Sequence, residues 1–139
     1  MGVKPQLILI AGPYRSGTDG DQTKIARNLR ALEQAALAVY QHGHVPIIGE
    51  WLALPLAREA GSSKLGDTIS ESFLYPVARR LLRCCDAVLR VDGASQGADE
   101  DVRHAKKLGL PVYRALTELP LVQKGASEHS LSVAIHSSG

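Results

Sequence analysis

Gln6-Leu-Ile-Leu-Ile-Ala11 is a short apolar run that stops at Gly12-Pro13, the pattern of a strand buried on both faces. The period then changes. Ile25, Leu29, Leu32, Ala36 and Val39 recur at helical spacing up to Gln41, and Gly43 ends the helix they predict. His44-Val-Pro-Ile-Ile48 predicts a second strand, placed at a sheet edge by Pro46, which has no N–H for a ladder. Glu50 to Glu59 predicts a helix, and Gly61 to Gly66 has the turn composition of a mobile surface loop suited to a lid. From Ile69 to Cys85, Phe73, Val77 and Leu81, joined by Leu74, Ala78 and Leu82, predict a long helix kinked at Pro76. Its two apolar edges are wide enough for the sheet and a second partner such as another subunit. Asp86 to Val91 predicts the third strand and Pro111 to Arg114 the fourth. Between them, Ala98 to Leu108 predicts a helix with Val102, Ala105 and Leu108 inward.

Strands and helices that alternate in this way call for an α/β fold: one doubly wound, flavodoxin- or Rossmann-like domain with helices on both faces. Its parallel sheet would have four or five strands. The domain is expected over 1–116, followed by a polar tail over 117–139. Leu131, Val133 and Ile135 alternate with polar or small residues in that tail, which either adds an edge strand or lacks fixed structure. With 139 residues, 45% of them hydrophobic, there is room for one domain, and burial of roughly 68% of the unfolded surface supplies a core.

Composition narrows the setting. Met1 to Gln6 lacks the features of a secretory signal, and no apolar run approaches the ~20 residues of a membrane span. Cys84 and Cys85 are adjacent, which suits neither a disulfide framework nor a zinc site. A cytoplasmic protein without membrane contact, metal or cofactor is expected. The net charge is only +2, and Arg79, Arg80 and Arg83 form a local cluster rather than a basic stripe, which argues against nucleic acid as a partner.

Ligands of open parallel sheets collect at the carboxyl ends of the strands, where the winding reverses. The loop after the first strand, Gly12-Pro-Tyr-Arg-Ser-Gly-Thr-Asp-Gly20, has the glycines, hydroxyls and arginine that hold an anion at a helix N-terminus. It is neither a Walker A loop, since Thr18 stands where the lysine would, nor a G-x-G-x-x-G fingerprint. After the third strand, Ser95 and Gly97 precede a helix whose first turn carries Asp99, Glu100 and Asp101. These carboxylates either only complement the helix dipole, or one of them enters the cleft as a glycosidic nucleophile. After the second strand, Trp51 is placed either to stack on a base or to pack on the core, and Glu50 to accept hydrogen bonds from a base or ribose.

Three segments over about Leu7 to Arg114 together resemble the nucleoside 2-deoxyribosyltransferase superfamily, including its nucleoside-monophosphate N-glycosidases. They are the strand entering Gly12-Pro-Tyr-Arg-Ser-Gly17, the strand Cys85 to Gly93 ending in Asp-Gly, and Ser95-x-Gly97-x-x-x-Asp101 with the helix and strand that follow. The resemblance implies that Tyr14, Arg15, Ser16 and Gly17 line a sugar or phosphate pocket and that Ser95 and Gly97 bind the phosphate. Asp101 takes the nucleophile position, where the family has Glu, with Glu100 as second choice. The family's upstream carboxylate falls near Ala78, leaving Asp92, Asp67 and Glu71 as candidates to replace it.

The implied function is N-glycosidic cleavage or (deoxy)ribosyl transfer on a small-molecule nucleoside or nucleotide, by a homodimer or higher oligomer. The alternative is a nucleotide-binding sensor or scaffold without turnover.

Overall fold

In a computed structural model that describes residues 2–123, the chain forms β1 (Leu7–Ala11), α1 (Gln22–Gln41), β2 (Val45–Ile47), α2 (Gly49–Glu59), α3 (Thr68–Cys84), β3 (Ala87–Arg90), α4 (Gln96–Lys107) and β4 (Val112–Tyr113). A 3-10 turn, Leu116–Glu118, follows. All strand pairs are parallel, in the order β2-β1-β3-β4, so this is the α/β sheet anticipated, with four strands among the described residues. The alternation at Leu131, Val133 and Ile135 lies outside them. Pro46 does stand on an edge strand.

The pleat of β1 and β3 divides the core. Ile8, Ile10, Ala87 and Leu89 pack against Leu32, Ala36 and Val39 of α1. On the other face, Leu9, Ala11 and Val88 meet Leu82 at the end of α3 and Ala98 and Ala105 of α4. Alternate residues of a strand point to opposite faces, which is why both faces of an all-parallel sheet read as apolar in the sequence.

Two helices begin earlier than their periodicity predicts because their caps lie upstream. Asp21 accepts from the N–H groups of Thr23 and Lys24, and Ser95 from Ala98, so α1 starts at Gln22 and α4 at Gln96. α3 runs through Pro76 without interruption. Its second apolar edge is met within the chain: Leu74 of α3 packs on a cluster of Tyr14, Ile25 and Leu54 of α2. The width of α3 therefore does not by itself call for another subunit.

The loop between α2 and α3 is braced rather than free. The Asp67 carboxylate, which caps α3, accepts from the Ser62 hydroxyl and from the N–H groups of Ser63, Lys64 and Ser70. Those bonds, the Ser70 N–H first, hold its carboxyl well below the usual range. Leu65 packs on the Tyr14 cluster, so the loop is not the free flap its composition predicts.

Residues 117–123, assigned above to the tail, belong to the packed domain. Leu119 is buried in the α1-side core, and the Val3 and Val122 backbones pair in parallel. His44, 1% exposed, locks this return: Nδ1 accepts from the Gln6 N–H at 3.0 Å, leaving Nε2 to donate to the Pro120 carbonyl at 2.8 Å. His44→Leu leaves both backbone groups unpaired, and we expect a loss of about 2 kcal/mol in urea denaturation. Unchanged stability would show that the return does not depend on this ring.

Candidate functional site

The sheet is wound from β1 outward to β2 and then back across to β3, so the reversal lies between β1 and β3. A cleft of about 750 Å³ opens there. Its wall is built from the β1–α1 loop (Gly12, Tyr14, Arg15, Ser16), the start of α2 (Gly49, Glu50), one side of α3 (Glu71, Leu74, Tyr75, Ala78) and Ser95 to Asp101 with Arg103.

The β1–α1 loop is wound tightly enough to aim its side chains. Thr18, which is buried, donates its hydroxyl to the Arg15 carbonyl, and Asn28 of α1 donates to the Tyr14 carbonyl at 2.8 Å. Gly17 lies outside the cleft. It turns the backbone at φ 71°, a left-handed conformation that favours glycine. Tyr14 is 6% exposed, and its buried hydroxyl has no hydrogen-bond partner among the described residues. Burial, followed by the charges of Glu50 and Glu71 and opposed by Arg15, pushes that hydroxyl up to about 12. It therefore stays protonated and can donate to a ligand. Arg15 is ion-paired with Glu71 and lies against Gly66, where a Cβ would stand 3.0 Å from its Nε.

The three consecutive carboxylates of α4 separate into different roles. Asp99 pairs with Arg90 at 2.9 Å, and Glu100 pairs with Arg103 one turn on. Asp101, now in the second turn because the helix begins at Gln96, has no ion pair among the described residues. Burial, with the charge of Glu50 adding and that of Arg90 opposing, pushes its carboxyl up to about 7. Glu50 is also raised, by burial, and its own backbone N–H bond opposes this. Ser95 caps α4 at the rim, and a Cβ on Gly97 would meet nothing within 4 Å, so the helix N-terminus is open to the cleft.

Sequence reasoning missed Arg90 and Tyr75. Arg90, 5% exposed, ends a strand otherwise apolar and donates to the carbonyls of Val91 and Gly93 as well as to Asp99. A lone arginine closing the run Ala87-Val-Leu-Arg90 was the available signal, since arginines are rarely buried without partners. Tyr75 lines the cleft and carries Arg79 4.6 Å from its ring centre.

Two expected positions fall elsewhere. The Trp51 indole N–H donates to Glu33 of α1 at 2.8 Å, outside the cleft, so the aromatic rings on the cleft wall are Tyr14 and Tyr75. Asp92 lines a separate hollow with Ala35, Val91 and Arg114. Of the candidates to replace the carboxylate missing at Ala78, Glu71 alone is on the cleft wall, whereas Asp67 caps α3. Among the described residues no three His, Cys, Asp or Glu side chains gather as a metal site, and no helix is long and apolar enough to cross a membrane.

No family model and no curated protein matches the chain. Among solved structures it is similar to a 2-deoxyribosyltransferase from the psychrotolerant bacterium Bacillus psychrosaccharolyticus, described as a biocatalyst for the synthesis of antiviral and antitumoral nucleosides. The TM-score is 0.54 at 16% identity, over 76% of this chain and 69% of that one. The likeness is one of fold: a Rossmann-type α/β sheet.

A carboxyl raised from 3.8 to about 7 in the folded state favours the protonated protein. Its stabilising effect is complete below the unfolded value and is lost as pH rises through the folded one. Relative to Asp101→Asn, the native protein should therefore lose stability between about pH 4 and pH 7, by up to ~1.4 kcal/mol per pH unit, and level off above. Parallel urea curves for the two proteins across that window would refute the burial of this charge.

Proposed function

We propose that the protein breaks the N-glycosidic bond of a nucleoside or nucleotide, transferring the sugar to water or to another base through a covalent intermediate on Asp101. The observation that carries this reading is the isolation of Asp101. It is the one carboxyl of the Asp99–Asp101 run that is not engaged by an arginine, and it lies in the cleft at the sheet's reversal point. The fold likeness to a 2-deoxyribosyltransferase agrees with it.

In the first step an ionised Asp101 oxygen bonds to C1′ while the C1′–N bond breaks and its electron pair leaves with the base. The transition state resembles an oxocarbenium ion and is favoured by nearby negative charge, which Glu71 and Asp99 supply on the cleft wall. On this reading Arg15, Ser16, Ser95 and Gly97, which line the cleft, hold the sugar and, where present, its 5′-phosphate; a helix N-terminus favours an anion. The Tyr14 hydroxyl then gains from the substrate the hydrogen bond it lacks. Water or an acceptor base finally displaces Asp101 from C1′.

Purified protein incubated with a panel of nucleosides and 5′-monophosphates should release free base, detected by chromatography. Asp101→Asn should lower the rate at least ~10³-fold, whereas Glu100→Gln should change it little. Because Asp101 attacks only when ionised, the rate should fall as pH drops below about 7. Tight binding of an unaltered nucleotide by the native protein would instead identify a sensor or scaffold, a reading favoured by Ala78 standing on the cleft wall without a carboxylate.

A further inference from the structure

We propose that the substrate of this cleft carries a positive charge on its departing base, as an N-ribosylated pyridinium or an N-alkylated purine nucleoside or nucleotide does. The inference rests on the glycosidic reading above and names the class of base which that reading leaves open.

The cleft wall is acidic, and its charges do not cancel. Its two arginines, Arg15 and Arg103, pair with Glu71 and Glu100, and Asp99 pairs with Arg90. Glu50 and Asp101 are left without an ion pair among the described residues, although both are half-buried. Carboxylates withdrawn from water ordinarily have a cationic partner. The cation that acts on Asp101, Arg90, is already committed to Asp99. A ligand that brings its own positive charge supplies what is missing.

The fold sets the two carboxyls on either side of one gap. Glu50 follows β2, Asp101 lies in the helix that follows β3, and β1 runs between those strands. At about 4.8 Å per strand, the two elements are rooted about 10 Å apart, which is room for a flat ring across the end of β1. Burial, and then the charge of Glu50, raise Asp101, so the two carboxyls are close enough to interact. A cation between them favours the ionised form of both, and Asp101 attacks only when ionised.

The neighbouring Tyr14 points to a ligand larger than a bare ion. It is 6% exposed, lines the same cleft, and its buried hydroxyl has no partner among the described residues. That protonated hydroxyl calls for an acceptor oxygen, which a metal ion does not bring and a ribosyl group does.

The wall is also poor in acids. Among the described residues it has no histidine, lysine or cysteine, and the arginine-paired carboxyls are held as carboxylates. Glu50 acts on Asp101 as a charge, so it too is a carboxylate when Asp101 is ready to attack. A neutral nucleobase leaves poorly as an anion and calls for a proton donor, whereas a cationic base needs none. As its C1′–N bond breaks, the electron pair cancels the ring charge and the base departs neutral, while a bond forms from C1′ to an Asp101 oxygen. Water then displaces Asp101: its oxygen joins C1′, one proton passes to solvent, and the carboxylate is restored.

Two measurements test this. Initial binding is compared for nicotinamide mononucleotide and its reduced form, which has nearly the same shape without the ring charge. The native protein should favour the cation at least ~10-fold. Glu50→Gln should cut that preference while leaving affinity for the reduced form unchanged, a split that a merely structural role does not produce. Turnover is compared for nicotinamide mononucleotide and 7-methylguanosine 5′-monophosphate against guanosine 5′-monophosphate. Base should leave the first two, and the third at least ~10²-fold more slowly. Guanine released as fast as 7-methylguanine, equal affinity for the oxidised and reduced nucleotides, or a preference that survives Glu50→Gln would each overturn the substrate class and leave glycosidic cleavage standing. Cation-selective binding with no base released from any nucleotide would keep the ligand class and overturn cleavage. Neither binding nor release overturns both.

Discussion

Arg90 governs the cleft end of the molecule. A guanidinium that ends a strand buried on both faces has to be answered there, because an unpaired charge at that depth costs several kcal/mol. Asp99 and the carbonyls of Val91 and Gly93 answer it, which fixes the loop between β3 and α4 from below. Ser95 then caps the helix, and the start of α4 is set. Asp101 owes its position in the second turn to that start and its ionisation to a balance in which Arg90 is the opposing positive charge.

The rest of the cleft applies the same rule with different partners. Arg15 is held by Glu71 and packed on Gly66, in a loop that Asp67 ties together. Charges whose role is to hold the walls are therefore paired. Glu50 and Asp101 are half-buried without ion pairs among the described residues, and both are shifted toward the protonated form. Environments that set titratable groups apart from their neighbours in this way are characteristic of catalytic sites.

Much of this was legible in the sequence. Strand runs and helical periods located the four strands and four helices, though not the 3-10 turn Leu116–Glu118, because burial on a sheet imposes period 2 or an unbroken apolar run and burial on a helix imposes 3.6. The reversal point then indicated which loops to read, and most of the candidate residues do meet in one cleft. What was not legible depends on direction. Trp51 stands next to Glu50 in the first turn of α2, yet the two side chains leave the helix at about 100° to each other, one toward α1 and one toward the cleft. Asp92 follows β3 by two residues and falls on the other side of its end. The packing of α3 on α2 was equally hidden, since an apolar edge does not state what covers it.

His44, Pro120 and the Val3–Val122 pairing gather the chain's return at the amino ends of β1 and β2, whereas the cleft lies at their carboxyl ends. A fusion partner joined directly at Gln123, in place of 124–139, thus sets out from the far pole of the sheet, a strand's length of ~17 Å from the mouth.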